Sequence, residues 1–311
     1  MTSVLLIAAM LCAVSTAHRQ SPYVGAISVE ANSGRVLFED GADREAYPAS
    51  VTKLMTLLLV IEDVKAGKYG FDTKVVATAD AYRSEPSWVG IKVGEKMSVW
   101  DLCTALMVES ANDAAIILGI NSAGTFQSFV DRMNARAREL GMTKTRYHNP
   151  NGLPPNANKK YPWKSFNVST ARDQMKLAKT LVKHKETLEL TSIKTCDLIK
   201  TADGYRTSVT RRGTAKPVVT TVAEGEKVVK ALRNHNNVMR TDKLKIVNPD
   251  GTEAIDGLKT GYIDAGGSSI VLTGRRGGKR AIVVVLGSAS SKERDDNARR
   301  LLIDAIGALS W

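Results

Sequence analysis

The chain has 311 residues with 43% hydrophobic and 24% charged side chains, and its formal net charge is +12 at pH 7. This composition is ordinary for a folded chain of one large domain or two small ones, and no low-complexity tract or fixed-period repeat is present, which excludes repeat architectures. The positive charge favours an anionic partner, but nucleic acid is disfavoured because only five Phe and four Trp could stack on bases.

The N-terminus has the pattern of an export signal, with an apolar run from Val4 to Val14 followed by the small residues Ser15 and Ala17. The pattern predicts a signal peptide over residues 1–17 and a mature, periplasmic or otherwise extracytoplasmic chain. The run is too short to span a bilayer, so no stable membrane anchor is expected. A buried N-terminal strand or helix is the alternative interpretation, because no Lys or Arg precedes the run.

Strand patterns come first in the remaining chain, and helical patterns follow. Residues 23–40 alternate between apolar and polar on both sides of an Asn-Ser-Gly turn, which predicts a β-hairpin. Residues 50–67 are continuously apolar and predict a helix that is buried on most sides. Residues 75–185 are mostly helical in pattern, and Thr170 and Asp173 are spaced as a capping box.

The second half of the chain is richer in strands. Residues 207–212 and 216–223 are rich in β-branched side chains, and residues 267–289 form the clearest predicted hairpin, with its turn at 276–279. Residues 295–311 predict a closing amphipathic helix whose apolar side belongs to the core. Strands near both ends, with helices between and after them, predict an α+β fold in which the termini share one sheet and the middle forms a helical lobe.

Cysteine and histidine are scarce. Without the predicted signal, Cys103 and Cys196 are the remaining cysteines, and they could form one disulfide or remain two buried thiols. There are only four His and no metal-ligand spacing, so the sequence predicts no metal site and no cofactor.

Three short motifs carry the chemistry. Ser50 and Lys53 are three residues apart at the start of a predicted helix, so the hydroxyl and the amine can share one face. Ser110-Ala111-Asn112 interrupts two helical runs, and Lys259-Thr260-Gly261 directly precedes a predicted strand. Each motif alone has a plain structural interpretation: a helix cap with a solvated lysine, a loop, and an exposed charge. Together and in this order they are the signature of penicillin-binding proteins and serine β-lactamases.

The chain resembles the D-alanyl-D-alanine carboxypeptidase family of low-molecular-mass penicillin-binding proteins from about Tyr23 to its end. Further similar stretches are residues 91–95 and residues 145–153, where Tyr147 replaces a phenylalanine of the family pattern. The resemblance implies the penicillin-binding, serine β-lactamase-like transpeptidase fold, with an antiparallel sheet packed between helices and the active site between sheet and helical lobe. It also implies a catalytic domain, expected over residues 22–311. Many members of the family carry a second β-rich domain, which is not expected here because the chain stops at Trp311, soon after Arg294.

The residue types suggest a mechanism of acyl transfer. Ser50 attacks the carbonyl of a D-Ala-D-Ala bond and forms an acyl-enzyme. Lys53 accepts the serine proton, which requires burial and the charge of Lys259 to depress its pKa. Ser110 relays the proton to the leaving amine, and Asn112 holds the substrate amide and the lysine.

The other motif residues bind the substrate. Lys259 and Thr260 recognise the terminal carboxylate, which distinguishes a chain end from an internal bond. By the family resemblance, the oxyanion hole consists of the backbone N–H groups of Ser50 and Tyr262, beside Gly261. Arg294 matches an arginine that assists carboxylate recognition in the family.

The resulting hypothesis is a serine-type D-Ala-D-Ala carboxypeptidase that removes the terminal D-alanine from peptidoglycan stem peptides and is inhibited covalently by β-lactam antibiotics. Two alternatives remain: an endopeptidase that cuts D-alanyl cross-links, and a penicillin- or wall-binding module that acylates without turnover. A class A β-lactamase is disfavoured, because no E-x-x-L-N sequence occurs between Asn112 and Lys259.

Overall fold

The computed structural model of the chain describes residues 21–81, 86–157, 163–212, 218–241, 246–248 and 253–309. The predicted export signal at residues 1–17 lies outside the described residues. Within the described ranges, no helix has the length and apolar character needed to cross a membrane.

A five-stranded antiparallel sheet joins the two ends of the chain, as the sequence predicts. Its strands are β1 (Gly25–Glu30), β2 (Val36–Asp40), β8 (Ile255–Ile263), β9 (Gly267–Arg276) and β10 (Lys279–Ser288). Their order in the sheet is β2-β1-β10-β9-β8. Both predicted hairpins are confirmed, because β1 pairs with β2 and β9 pairs with β10.

The sheet is covered on both faces, and the alternation along β10 shows how. Side chains on one face join the core of the helical lobe, and those on the other face join the core beneath the last helix. The first set is Ile282, Val284 and Leu286, and the second is Ala281, Val283 and Val285. The predicted closing helix is confirmed as α8 (Ser291–Ala308), which packs Leu301, Leu302 and Ile306 into the second core.

The helical lobe lies between the two parts of the sheet in sequence. Its helices are α1 (Lys53–Lys65), α2 (Val99–Val108), α3 (Asn112–Ala123), α4 (Phe126–Glu139), α5 (Ala171–Leu181) and α6 (Lys185–Thr191). Helix α1 is buried on most sides, as predicted: Leu57, Leu58 and Val60, which point in different directions around the helix axis, are all inaccessible to solvent. The predicted cap of α5 is confirmed, because the Thr170 side chain accepts a hydrogen bond from the Asp173 N–H.

Two smaller sheets flank the lobe. Strands β3 (Lys74–Val76) and β4 (Lys96–Ser98) form a pair, and β6-β5-β7 form a three-stranded sheet from β5 (Ile193–Lys200), β6 (Tyr205–Arg212) and β7 (Lys227–Arg233). A short helix, α7 (Asn237–Arg240), follows β7.

The strand predicted over residues 216–223 is wrong for the part that the structure describes. Residues 218–223 join no ladder, and Val219 is 90% exposed. The strand that pairs with the second edge of β5, on the side away from β6, is β7. It lies a few residues later in the chain, and its Leu232 is buried opposite Cys196. Both segments are rich in valine, and burial against the partner strand, rather than β-propensity, decides which of them pairs.

The two cysteines are buried free thiols, so the disulfide alternative is excluded. Burial is the main cause that raises both thiol pKa values, that of Cys196 to about 12. Thiols in such apolar surroundings are inert, and their contribution is packing.

Candidate active site

Ser50 lies on a tight turn that two other segments approach closely. It belongs to a 3-10 turn, Ala49–Thr52, that leads directly into α1. A Cβ atom at Gly152 would lie 1.9 Å from the Ala49 carbonyl oxygen, and one at Gly261 would lie 2.6 Å from that of Pro48. Glycine is therefore required at both positions, because any side chain there would push the flanking loop and strand away from the serine.

Lys53 is the centre of the site. It is fully buried, and its Nζ lies 2.8 Å from Ser50 Oγ, 2.8 Å from Asn112 Oδ1 and 2.8 Å from the Asn151 carbonyl oxygen. Burial first, and then the charge of Lys259, lower its pKa well below the ordinary value, while the carboxylate of Asp113 opposes the change. A neutral amine has two N–H groups for the two carbonyl oxygens and a lone pair left for the serine hydroxyl.

Ser110 supplies a second buried hydroxyl to the site. The residue adopts a left-handed conformation with φ of 60° between α2 and α3. Its Oγ is buried and has no hydrogen-bond partner among the described residues. A buried hydroxyl without a partner is unfavourable, so its orientation is consistent with a group that bonds only to a bound molecule.

Asp113 is a residue that the motif analysis did not single out. Its fully buried carboxylate accepts backbone N–H groups of Val89, Gly90 and Ala114. The neighbouring Asn112 N–H donates to the Ser87 carbonyl oxygen. The beginning of α3 therefore fixes the 87–91 segment beside the site. The one feature of the sequence that could have pointed to Asp113 is its position as an acidic residue in the first turn of a helix.

The similar stretch at residues 145–153 explains how the Asn151 carbonyl reaches the lysine. Asn149 Oδ1 accepts the Gly152 N–H, which closes the loop on itself. Asn167 donates from Nδ2 to Thr52 Oγ1 and to the Asn149 carbonyl, so it joins the loop to the turn that carries the serine. All three asparagines are buried and act through the backbone positions that they hold.

Lys259 provides a second buried cation on β8. Its Nζ donates to the Thr260 carbonyl oxygen at 2.9 Å. Burial, followed by the charge of Arg294, lowers its pKa to about 7. Arg294 is also buried and lies in an ion pair with Asp295 at 2.7 Å.

Gly261 and Tyr262 continue β8 past the serine. A Cβ atom at Gly261 would lie 3.0 Å from the Ser50 backbone nitrogen, so the strand passes directly beside the nucleophile. Tyr262 is 60% exposed, and its hydroxyl donates to Asp264 at 2.8 Å. The phenol therefore points to solvent, and only the backbone of Tyr262 is placed near the serine turn.

His235 is close enough to Lys259 and Lys53 for their charges to act on it, and no motif of the sequence indicated this. Enclosure by the surrounding protein, followed by the charges of Lys259 and Lys53, lowers its pKa to about 4, while its side chain still reaches solvent. The ring is therefore neutral at physiological pH.

The structure thus brings a serine, a buried lysine of lowered pKa, a second buried serine hydroxyl and the buried amine of Lys259 together where β8 meets the helical lobe. Such a set can activate a hydroxyl as a nucleophile and bind an anionic group beside it. In the described part of the chain, no group of three His, Cys, Asp or Glu side chains is placed to hold a metal ion.

Comparisons with known proteins agree with this geometry. A family model described as D-alanyl-D-alanine carboxypeptidase matches residues 14–213, a range that contains Ser50, Lys53, Ser110 and Asn112. The chain is 31% identical over 166 residues to D-alanyl-D-alanine carboxypeptidase DacF of Bacillus subtilis, a match over 53% of this chain and 40% of the relative. It is 33% identical over 153 residues to a D-alanyl-D-alanine endopeptidase of Pseudomonas aeruginosa, over 49% of this chain and 45% of the relative.

A solved structure extends the similarity to the whole fold. Penicillin-binding protein D2 from Listeria monocytogenes, in its cefotaxime-bound form, superposes with a TM-score of 0.68 and 28% identity, over 92% of this chain and 98% of that chain. The sequence matches cover less than half the length of the two curated relatives.

Proposed function

The chain belongs to the D-alanyl-D-alanine carboxypeptidase family, and we propose that it removes the terminal D-alanine from peptidoglycan stem peptides as a serine-type hydrolase. One observation carries the proposal most directly: the Lys53 amine, buried and held by two carbonyl oxygens, lies 2.8 Å from the Ser50 hydroxyl. This distance is within the reach required of a nucleophile and its general base.

In the acylation step, the neutral Lys53 amine accepts the proton of Ser50 as Oγ attacks the carbonyl carbon of the penultimate D-alanine. The backbone N–H groups of Ser50 and Tyr262 stabilise the oxyanion that forms. The Ser110 hydroxyl gives its proton to the leaving amine and recovers the proton that Lys53 took from Ser50, so the terminal D-alanine departs and the lysine is neutral again. Asn112 keeps the lysine in place and holds the substrate amide.

Lys259 is the residue that recognises the C-terminal end of the substrate peptide. Lys259 and Thr260 bind the terminal carboxylate, and Arg294 adds positive charge from the side of α8. A bound carboxylate raises the pKa of Lys259 above 7 and keeps it protonated, because an opposite charge favours the charged form. An internal peptide bond offers no carboxylate here, which explains the preference for a terminal residue.

Water completes the reaction. After D-alanine leaves, a water molecule takes its place beside Ser110 and Lys53 and attacks the ester carbonyl as Lys53 accepts its proton. Lys53 returns that proton to Ser50 Oγ as the ester bond breaks, and the shortened peptide departs. A β-lactam acylates the same serine, which the cefotaxime-bound form of the similar penicillin-binding protein supports.

The proposed substrate sets the location. Peptidoglycan lies outside the cytoplasmic membrane, so the activity requires export, in agreement with the predicted signal at residues 1–17. We assign the machinery to one catalytic domain over residues 22–311, because the three motifs meet where β8 contacts the serine turn and the helical lobe.

The experiment is incubation of the purified protein with isolated cell wall, followed by mass spectrometry of the released material. Loss of single D-alanine residues from pentapeptide stems, abolished in Ser50→Ala, supports the carboxypeptidase. Cleavage of cross-linked dimers in place of D-alanine release identifies an endopeptidase, and a stable penicillin adduct without any wall product identifies a module that acylates without turnover. Either result would overturn the proposal.

A further inference from the structure

The backbone on either side of Ser110 is tied to two other segments by contacts that the mechanism does not use. Glu109 caps the C-terminal end of α2, and Ser110 follows it with φ of 60°. This left-handed conformation favours glycine and is unfavourable for other residues, so it persists where neighbouring contacts hold it. Those contacts therefore determine where the Ser110 hydroxyl points.

Lys230 of β7 makes the first of these connections. Its Nζ donates a hydrogen bond to Glu109 Oε1 at 2.6 Å and a second one to the Trp88 carbonyl oxygen at 3.2 Å. One side chain thus joins the residue before Ser110 to the 87–91 segment.

The second connection closes a ring around the serine. The Ser87 carbonyl oxygen, one residue before Trp88, accepts the Asn112 N–H at 2.8 Å. Asn112 follows Ser110 by two residues in the chain. The backbone is therefore held on both sides of the serine, and both connections depend on the same short segment.

The ion pair in this ring is more important for position than for folding. The side chains of Lys230 and Glu109 are 42% and 15% exposed, and an ion pair that solvent reaches adds little to the free energy of unfolding. Without the pair, however, the residue before Ser110 is released, and the left-handed backbone can relax toward a more favourable conformation. The Ser110 hydroxyl then turns away from its present direction.

We propose that Lys230 and Glu109 are positioning residues that hold the Ser110 hydroxyl where it protonates the leaving amine. This inference rests on the proposed function. In that reaction the C–N bond of the substrate breaks, its nitrogen takes the Ser110 proton, and Ser110 recovers a proton from Lys53. Lys230 and Glu109 contact neither the substrate nor the reacting atoms, so their effect is confined to this proton transfer.

The test uses two substrates that differ in the leaving atom. One is diacetyl-L-lysyl-D-Ala-D-Ala, and the other is the thioester in which sulfur replaces the nitrogen of the scissile amide. An amine must be protonated to leave, whereas a thiolate leaves without a proton. Both substrates form the same acyl-enzyme, and kcat/KM for each reports how fast it forms.

Lys230→Met and Glu109→Ala are each expected to lower kcat/KM for the amide about three- to tenfold, a part of the about 10²–10⁴-fold that a positioned proton donor contributes. For the thioester, kcat/KM should change by less than about twofold, because no proton is needed. Lys230→Arg keeps both hydrogen bonds and should retain at least about half of the amide activity. Lys227→Met, the same change at an exposed position of the same strand, is the matched control and should change neither value.

Two further comparisons separate positioning from a general loss of structure. The ratio of the two kcat/KM values is taken within each variant, so any loss of folded protein cancels. In a Ser110→Ala background, Lys230→Met should cause no further loss for the amide, because no hydroxyl is left to position. Equal losses for amide and thioester, or losses that add to that of Ser110→Ala, would overturn the positioning role and leave the proposed function intact. A wild-type protein that releases no D-alanine from the peptide would overturn both.

Discussion

Replacing Lys259 by methionine is expected to make the protein more stable and less active. The lysine is 2% exposed, and burial is the main cause that lowers its pKa from 10.5 to about 7. A difference of about 3.5 pH units corresponds to about 5 kcal/mol, of which about 4 kcal/mol applies at pH 7. Subtracting about 1 kcal/mol for the hydrogen bond to the Thr260 carbonyl leaves a gain of about 3 kcal/mol.

The sign of the pH dependence follows from proton binding. Between pH 7 and pH 10.5 the unfolded chain holds a proton at Lys259 that the folded protein has lost. The stability of the wild type therefore rises with pH in this window, by about 1.4 kcal/mol per pH unit from this group. The loss of folding stability that burial of Lys259 causes is complete below pH 7 and absent above pH 10.5. The methionine variant lacks it, so its advantage is greatest near neutral pH and shrinks as pH rises.

The assay is urea unfolding of both proteins at pH 7, 8 and 9, together with D-alanine release. Other groups that titrate in this range, such as the thiol of Cys196, are common to both proteins and largely cancel in the difference. Turnover is expected to fall at least tenfold, since about 1.4 kcal/mol of lost carboxylate binding already gives that factor. Two results would refute this reasoning. One is a Lys259→Met variant that is no more stable than the wild type at pH 7, and the other is a stability difference between them that does not shrink as pH rises.

Four further outcomes are expected. Lys53→Arg should form no benzylpenicillin adduct by intact-mass spectrometry, because a guanidinium keeps its proton. Asp113→Asn should lower the free energy of unfolding in urea by about 1–3 kcal/mol, because an NH2 group replaces the oxygen that accepts the Gly90 N–H and leaves that buried N–H without a partner. It should also move the rise of acylation to lower pH, because the carboxylate raises the pKa of Lys53. Leu58→Ala should lower stability by about 2–5 kcal/mol. Thiol reagents should label Cys103 and Cys196 only after denaturation.

Each of these expectations has a contrary result. An adduct on Lys53→Arg at the wild-type rate would assign the base elsewhere. An Asp113→Asn variant of unchanged stability would remove its role in fixing the 87–91 segment, and a loss below about 1 kcal/mol in Leu58→Ala would mean that α1 is less tightly packed. Rapid labelling of a native thiol would contradict the burial of that cysteine.

The central sheet and α1 could be predicted from the sequence, because their signals are local. Alternation along β1, β9 and β10 and the continuous apolar run of α1 are visible within short windows. The three-stranded sheet was different. The segment at 218–223 and the strand β7 have similar valine-rich sequences, and the choice between them depends on burial of Leu232 against β5, which no local window contains.

The candidate site also combines residues that short motifs predict with contacts that depend on distant parts of the sequence. The motif order placed Ser50, Lys53, Asn112 and Lys259, but the contacts that hold the lysine span the chain: the Asn151 carbonyl is 98 residues away in sequence. The backbone at Asn151 reaches Lys53 only because Gly152 lies against the serine turn. Asp113 supports the site through backbone N–H groups of a distant segment, so its residue type alone carries little signal.

The most direct measurement of the central claim is rapid-quench mass spectrometry with a peptide that ends in D-Ala-D-Ala. The account predicts free D-alanine, followed by the shortened peptide, with a transient adduct on the tryptic peptide that contains Ser50. The mass of that adduct equals the shortened acyl group, and both products are absent in Ser50→Ala. Release of D-alanine by Ser50→Ala at the wild-type rate, or an adduct on a different residue, would contradict it.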